Sequence, residues 1–193
     1  MSLAYQHSNP QTIVDFILPI YRLKSLKRSG WVQVGLPVEE VESVAAHTSG
    51  VVLLVLLLQP LVPDLDSERM LQMAALHDVG EAVVGDLTPR DGLSPAEKSS
   101  RESLAVGDLL EPFSGGERLQ LAWQEFEEGA SPEAQFVRLA DKLDMLLQTV
   151  IYRDNGIALD EFYQDMDALF AGTVLEEIYK NVKSAYSRRN TEE

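Results

Sequence analysis

The chain has 193 residues, enough for one domain with a sizeable core. It is 45% apolar and contains no cysteine, which excludes a disulfide scaffold, a zinc–thiolate centre and a cysteine nucleophile. The formal net charge is −15. The densest basic cluster of the first half, Lys24, Lys27 and Arg28, is too small to offset it, so no nucleic-acid partner is expected. A small anion could bind only where a cation or a few basic side chains reverse the field. Residues 1–10 are polar and lack a signal-peptide core, and the greasiest run, Val51 to Leu58, falls short of the ~20 residues a bilayer requires. No membrane association and a cytoplasmic location are the expectation.

In chain order the pattern is helical nearly throughout. Ile13, Phe16, Ile17 and Ile20 recur at helical spacing and predict a first helix over about residues 10–24. Ser29-Gly30 and Pro37 mark a loop from Ser25 to about Glu42. A second helix starts at Ser43, carries His47 and enters the apolar run; being apolar nearly all round, it is expected to be the central, most buried helix. Pro60 and Pro63 end it, and Ser67 is the expected N-cap of a helix reaching about Val79. Gly80, Gly85, Pro89 and Gly92 then predict a loop or broken helix. Ser94-Pro95 and Ser131-Pro132 repeat one helix-start signature, a capping serine before proline at the first helical position. The second of these helices runs through Asp141 to about Arg153, and a pair over Leu159–Phe170 and Val174–Ser187 completes the chain. No alternating β-branched run predicts a strand. The expected fold is all-α, a single domain over residues 1–193.

Three histidines are present. His7 lies in the polar N-terminus and reads as solvated. His47 and His77 sit in apolar helical contexts, where a satisfied core histidine is the ordinary alternative to a ligand. His77 has company: LHDVGEAVVGDLTP brings His77, Asp78, Glu81 and Asp86 together just after an apolar stretch. Buried acids need a positive partner, and Gly80 and Gly85 let backbone approach a ligand. A surface helix end with scattered acids remains the plain alternative. In VRLADKLDMLL, both Asp141 and Asp144 can be read as lining a solvated face, and that reading is preferred for Asp144.

The ordered set His47, His77-Asp78 and Asp141 resembles the HD-domain superfamily of metal-dependent phosphohydrolases, whose fold is an all-helical bundle. LKSLKRSGWVQVGL, LHDVGEAVVGDLTP, SPAEKSSRE and FVRLADKLDMLLQ look like motifs of its 5′-deoxynucleotidase-like branch, over about residues 12–153. The resemblance implies that His47, His77, Asp78 and Asp141 hold a divalent metal ion (Mn, Co, Fe, Ni, Zn or Mg) and that Glu81 handles the attacking water. It implies that Arg28, Trp31 and the segment Asp86, Leu87, Thr88 and Pro89 line the nucleotide pocket, with Lys27 the neighbouring alternative to Arg28. Trp31 would orient the phosphate or pack on the nucleotide, and Asp86 could accept a hydrogen bond from a sugar hydroxyl. The implied substrate is a nucleoside 5′-monophosphate and the implied assembly a homodimer. Another HD-type phosphodiesterase or pyrophosphohydrolase, and a non-catalytic metal-binding interaction protein, are the competing readings. One position departs from the pattern: Ala46 stands where the family often has Glu before the first histidine.

Overall fold

The computed structural model describes residues 10–153 and 156–188. The expectations for His7 and for the tail beyond Arg188 lie outside the described residues. Helix α1 (Pro10–Ile20) runs into a 3-10 turn, Tyr21–Lys24, and the segment after it holds the short α2 (Ser29–Gln33). Then come α3 (Val44–Leu58), α4 (Ser67–Leu76), α5 (Glu81–Val84), α6 (Pro95–Leu110), α7 (Gly116–Glu128) and α8 (Pro132–Tyr152). The chain closes with α9 (Met166–Phe170) and α10 (Glu176–Arg188). Among the described residues there is no strand, only one isolated antiparallel bridge between Lys27 and Ser43. The fold is all-α, as the sequence pattern predicts.

Capping explains where the long helices start. The side chains of Ser43, Ser94 and Ser131 accept hydrogen bonds from the N–H groups of Ala46, Glu97 and Ala134, each satisfying a donor the helix leaves free. At Ser94 the Glu97 carboxylate also accepts from the Ser94 N–H, closing a capping box. The cap of α4 is Asp66 rather than Ser67, with Ser67 as the first helical residue. Helix α4 stops at Leu76 rather than about Val79. The expected helix over Leu159–Phe170 is split into a 3-10 turn, Asp160–Tyr163, and α9, with Asp165 at φ 62° between them.

The main core joins α3, α4, α7, α8 and α10 through Val51, Val55, Met73, Phe126, Val137, Leu143 and Tyr179. The expectation that α3 is the most buried helix is corrected. That place belongs to α8, which buries residues from Ala134 to Tyr152. Helix α3 packs against α4 and α8. Its outer face presents Leu53, Leu56 and Leu57, the last 72% exposed. An apolar run that meets neighbours on two sides must leave the third in water. The stretch Val44–Leu61, joining α3 to the following 3-10 turn, is long and apolar enough to cross a membrane by length and a mean hydropathy of 1.8. Its first turn carries His47, 1% exposed and in ion-pair contact with aspartates of α8.

Candidate metal centre and adjoining pocket

Two breaks in the helical pattern and one long helix assemble the site. Ser43 fixes the start of α3, so His47 lies one turn in, facing α8. His77 caps the C-terminus of α4, and Asp78 follows in the turn that leads to Glu81 at the start of α5. Gly80 permits that turn to press against α6. A Cβ there would meet Val106 Cγ2 at 3.2 Å and the Glu102 carbonyl at 3.3 Å. Asp141 reaches in from the middle of α8.

The hydrogen bonds fix what the two imidazoles offer. His77 Nδ1 lies 2.9 Å from the Ala74 carbonyl, an acceptor only, so it carries the proton. His47 Nδ1 lies 2.7 Å from Asp144 Oδ2 and donates to it. Both Nε2 atoms therefore turn inward, 3.3 Å apart. Asp78 Oδ2 lies 3.2 Å from Nε2 of His77, and Asp141 Oδ1 lies 3.1 Å from Nε2 of His47. Two imidazole nitrogens and two carboxylates pointed at one another repel unless a cation sits among them. His47, His77 and Asp78 offer ligand atoms close enough for one ion, and Asp141 Oδ1 lies beside His47 Nε2. Nitrogen and oxygen donors of this kind suit a borderline divalent metal, so the residues fit the group. Burial opposes charge on His47, but hydrogen bonds to Asp141 and Asp144 outweigh it and push the imidazole up to about 9. Burial likewise opposes the Asp78 carboxylate, yet His77, Arg28 and His47 hold it below the usual range.

Glu81 is 3% exposed, and its Oε2 has no hydrogen-bond partner. Burial, then the charges of Asp78 and Asp86, raise its carboxyl well above the usual range. Arg28 faces this group of acids. Its Nη1 is 3.2 Å from Asp86 Oδ1, 3.4 Å from Asp78 Oδ2 and 3.9 Å from Glu81 Oε1. Lys27 points elsewhere and donates to the Val41 carbonyl. Asp86 uses one oxygen on Arg28 and the other on the Ser29 N–H. It thus holds Arg28 and the start of α2, where the sequence reading offered it to a sugar hydroxyl.

Two cavities adjoin here. One, of about 270 Å³, is lined by His77, Asp78, Glu81, Asp141 and the acids Glu102 and Glu127. The other, of about 390 Å³, is lined by all six residues expected around a nucleotide, Arg28, Trp31, Asp86, Leu87, Thr88 and Pro89. Phe162 and Met145 complete its apolar wall. Trp31 is itself nearly buried. It donates to Glu42 Oε1 at 2.9 Å and packs against Phe162 with ring centroids 4.3 Å apart. Arg28, Lys98 and Lys142 line both cavities. On a chain of net charge −15, the seam between the two spaces is cationic.

Sequence reasoning missed Asp144, Lys98 and Lys142. Asp144 was expected on a solvated face; its side chain is 15% exposed and orients His47. The available signal was its place one turn beyond Asp141, on the same side of α8. Gly50 makes room for it, since a Cβ there would lie 2.0 Å from Asp144 Oδ1. Gly50→Ala is therefore expected to push Asp144 off His47. Outer-shell partners of metal-bound histidines contribute roughly 10- to 100-fold in metal affinity. A loss of that order is expected when Gly50→Ala and wild-type protein are titrated with a divalent ion, and equal affinities would remove Asp144 from this role.

The helical bundle and this constellation define an HD-type metal centre. A family model described as HD domain matches residues 20–182, and the chain belongs to that family. Among curated proteins it is 33% identical over 171 residues to 5′-deoxynucleotidase HDDC2 of Dictyostelium discoideum, covering 81% of this chain and 89% of that one. It is 33% identical over 147 residues to 5′-deoxynucleotidase hdd1 of Schizosaccharomyces pombe, covering 73% and 72%. Among solved structures, the PH0347 protein of Pyrococcus horikoshii superposes with a TM-score of 0.74 at 31% identity, over 90% of this chain and 98% of that one.

Proposed function

We propose that this protein is a metal-dependent phosphohydrolase that removes the 5′-phosphate from (deoxy)nucleoside monophosphates. The observation that carries the reading is the cationic seam. A His/Asp centre lies on one side, an aromatic-walled pocket on the other, and Arg28, Lys98 and Lys142 stand between them. That order suits a molecule with a dianionic phosphate at one end and an apolar-faced nucleoside at the other. The curated relatives named 5′-deoxynucleotidase support the same substrate class.

In this proposal His47, His77, Asp78 and Asp141 hold the metal. When bound, a divalent ion supplies Lewis-acid neutralisation of the phosphoryl charge and acidifies water. Glu81 orients the attacking water and takes its proton through the unpartnered Oε2. Arg28, steadied by Asp86, grips the phosphoryl oxygens through charge-assisted hydrogen bonds. The new oxygen–phosphorus bond forms as the bond to the 5′ oxygen breaks, and the nucleoside leaves with a proton taken from solvent. Trp31 and Phe162 wall the nucleoside, and Leu87, Thr88 and Pro89 border it.

Further parts of the proposal are one HD domain over the whole chain, a homodimer, and a cytoplasmic location. Exposed Leu53, Leu56 and Leu57 on α3 support the dimer, as a face that a second copy would cover. Phosphate release from nucleoside mono-, tri- and cyclic phosphates tests the reaction. The 5′-monophosphates are expected to be preferred, and hydrolysis of the cyclic or triphosphate forms alone would replace this reading with a phosphodiesterase or pyrophosphohydrolase.

A further inference from the structure

Lys98 stands in the first turn of α6, whose start is locked by the Ser94–Glu97 capping box. Its ammonium projects to the place where the two cavities meet. Its one ion pair among the described residues is with Glu102 Oε1 at 3.5 Å, too long for a firm hydrogen bond. An ammonium has three donors, so Lys98 has donors to spend on a ligand. Glu102, one turn along α6 and 7% exposed, steadies the arm. Arg28 is already divided among Asp78, Asp86 and Glu81, and Lys142 is paired to Asp141 at 2.9 Å. Of the three cations on the seam, Lys98 is the least committed.

We infer that Lys98 is a phosphate-binding residue, donating to a non-bridging oxygen of the substrate phosphoryl group opposite Arg28. The inference rests on the nucleotidase reading for its substrate and on the cavity geometry for its position. A dianionic phosphate entering among Asp78, Glu81, Asp86, Glu102 and Glu127 needs more than one neutralising side chain, and Lys98 is the one whose contacts within the protein leave it able to serve.

The test compares wild type, Lys98→Met, Lys98→Arg and the double variant Lys98→Met/Glu102→Gln, all loaded with the same divalent ion. Inorganic phosphate binding is read by titration calorimetry, and KM and kcat are read with a 5′-dNMP. Hydrogen bonds between charged groups translate to roughly a 10- to 100-fold loss. Phosphate affinity is expected to fall by that factor in Lys98→Met, with KM rising in step, and Lys98→Arg should recover most of both. The double variant separates contact from field. If the loss persists without the Glu102 charge, Lys98 itself touches phosphate. If removing Glu102 restores binding, Lys98 only masks a carboxylate and the inference is overturned, as it is by wild-type phosphate affinity in Lys98→Met. Wild-type protein that binds phosphate but leaves 5′-dNMPs intact would sink the nucleotidase reading while leaving Lys98 to be judged by the calorimetry.

Discussion

Glu81→Gln is expected to lower kcat for 5′-dNMP hydrolysis by about 10²- to 10⁴-fold, the usual contribution of a positioned general base. The substitution keeps the side-chain shape and removes the proton acceptor. Glu81 is suited to the role because the fold withholds other partners from it. Its Oε2 is buried without a hydrogen bond, and Arg28 Nη1 stands 3.9 Å from its Oε1. A structural carboxylate this deeply buried would ordinarily be paired on both oxygens. Metal content measured on the purified variant separates lost chemistry from a lost ion. A variant that keeps its metal and its wild-type kcat would show that another group takes the proton.

Asp78→Asn is expected to abolish metal retention and phosphate release together. The loss should exceed the roughly 10- to 100-fold associated with outer-shell partners. Asp78 lies at the crossing of the two halves of the site, 3.2 Å from Nε2 of His77 and 3.4 Å from Nη1 of Arg28. An asparagine there removes the charge that balances both. The fold should survive, because Asp78 lies in a turn and the cores on either side are built from other residues. Circular dichroism together with metal analysis checks this. Full metal occupancy in a folded Asp78→Asn protein would exclude Asp78 as an essential ligand.

How far the sequence revealed this depends on the range of the interaction concerned. Helix starts set by a neighbouring serine were readable at Ser94 and Ser131, because cap and capped N–H lie three residues apart. Helix α2 was not readable. The N–H of its first residue, Ser29, is taken by Asp86, 57 positions along the chain. The all-round apolar pattern of α3 suggested full burial, but pattern alone cannot count neighbours, and the outer leucines met none. At the site, His77, Asp78 and Glu81 were legible as a local cluster of costly charges. His47 and Asp141 could be joined to them only through family resemblance; in the folded chain His47 Nε2 lies 3.3 Å from His77 Nε2 and 3.1 Å from Asp141 Oδ1. Nothing in the neighbouring sequence singles out Lys98 or Lys142. Their importance comes from sharing a seam with Arg28, a juxtaposition that exists only in the folded chain. Ala46, which replaces the acid often found before the first histidine, lies exposed on α3.

The most direct measurement is inorganic phosphate release from a 5′-dNMP by protein stripped of metal with a chelator, before and after a series of divalent ions is added back. The stripped protein is expected to release none, and at least one ion to restore release to a rate that Glu81→Gln does not reach. Undiminished release in the continued presence of chelator would contradict it.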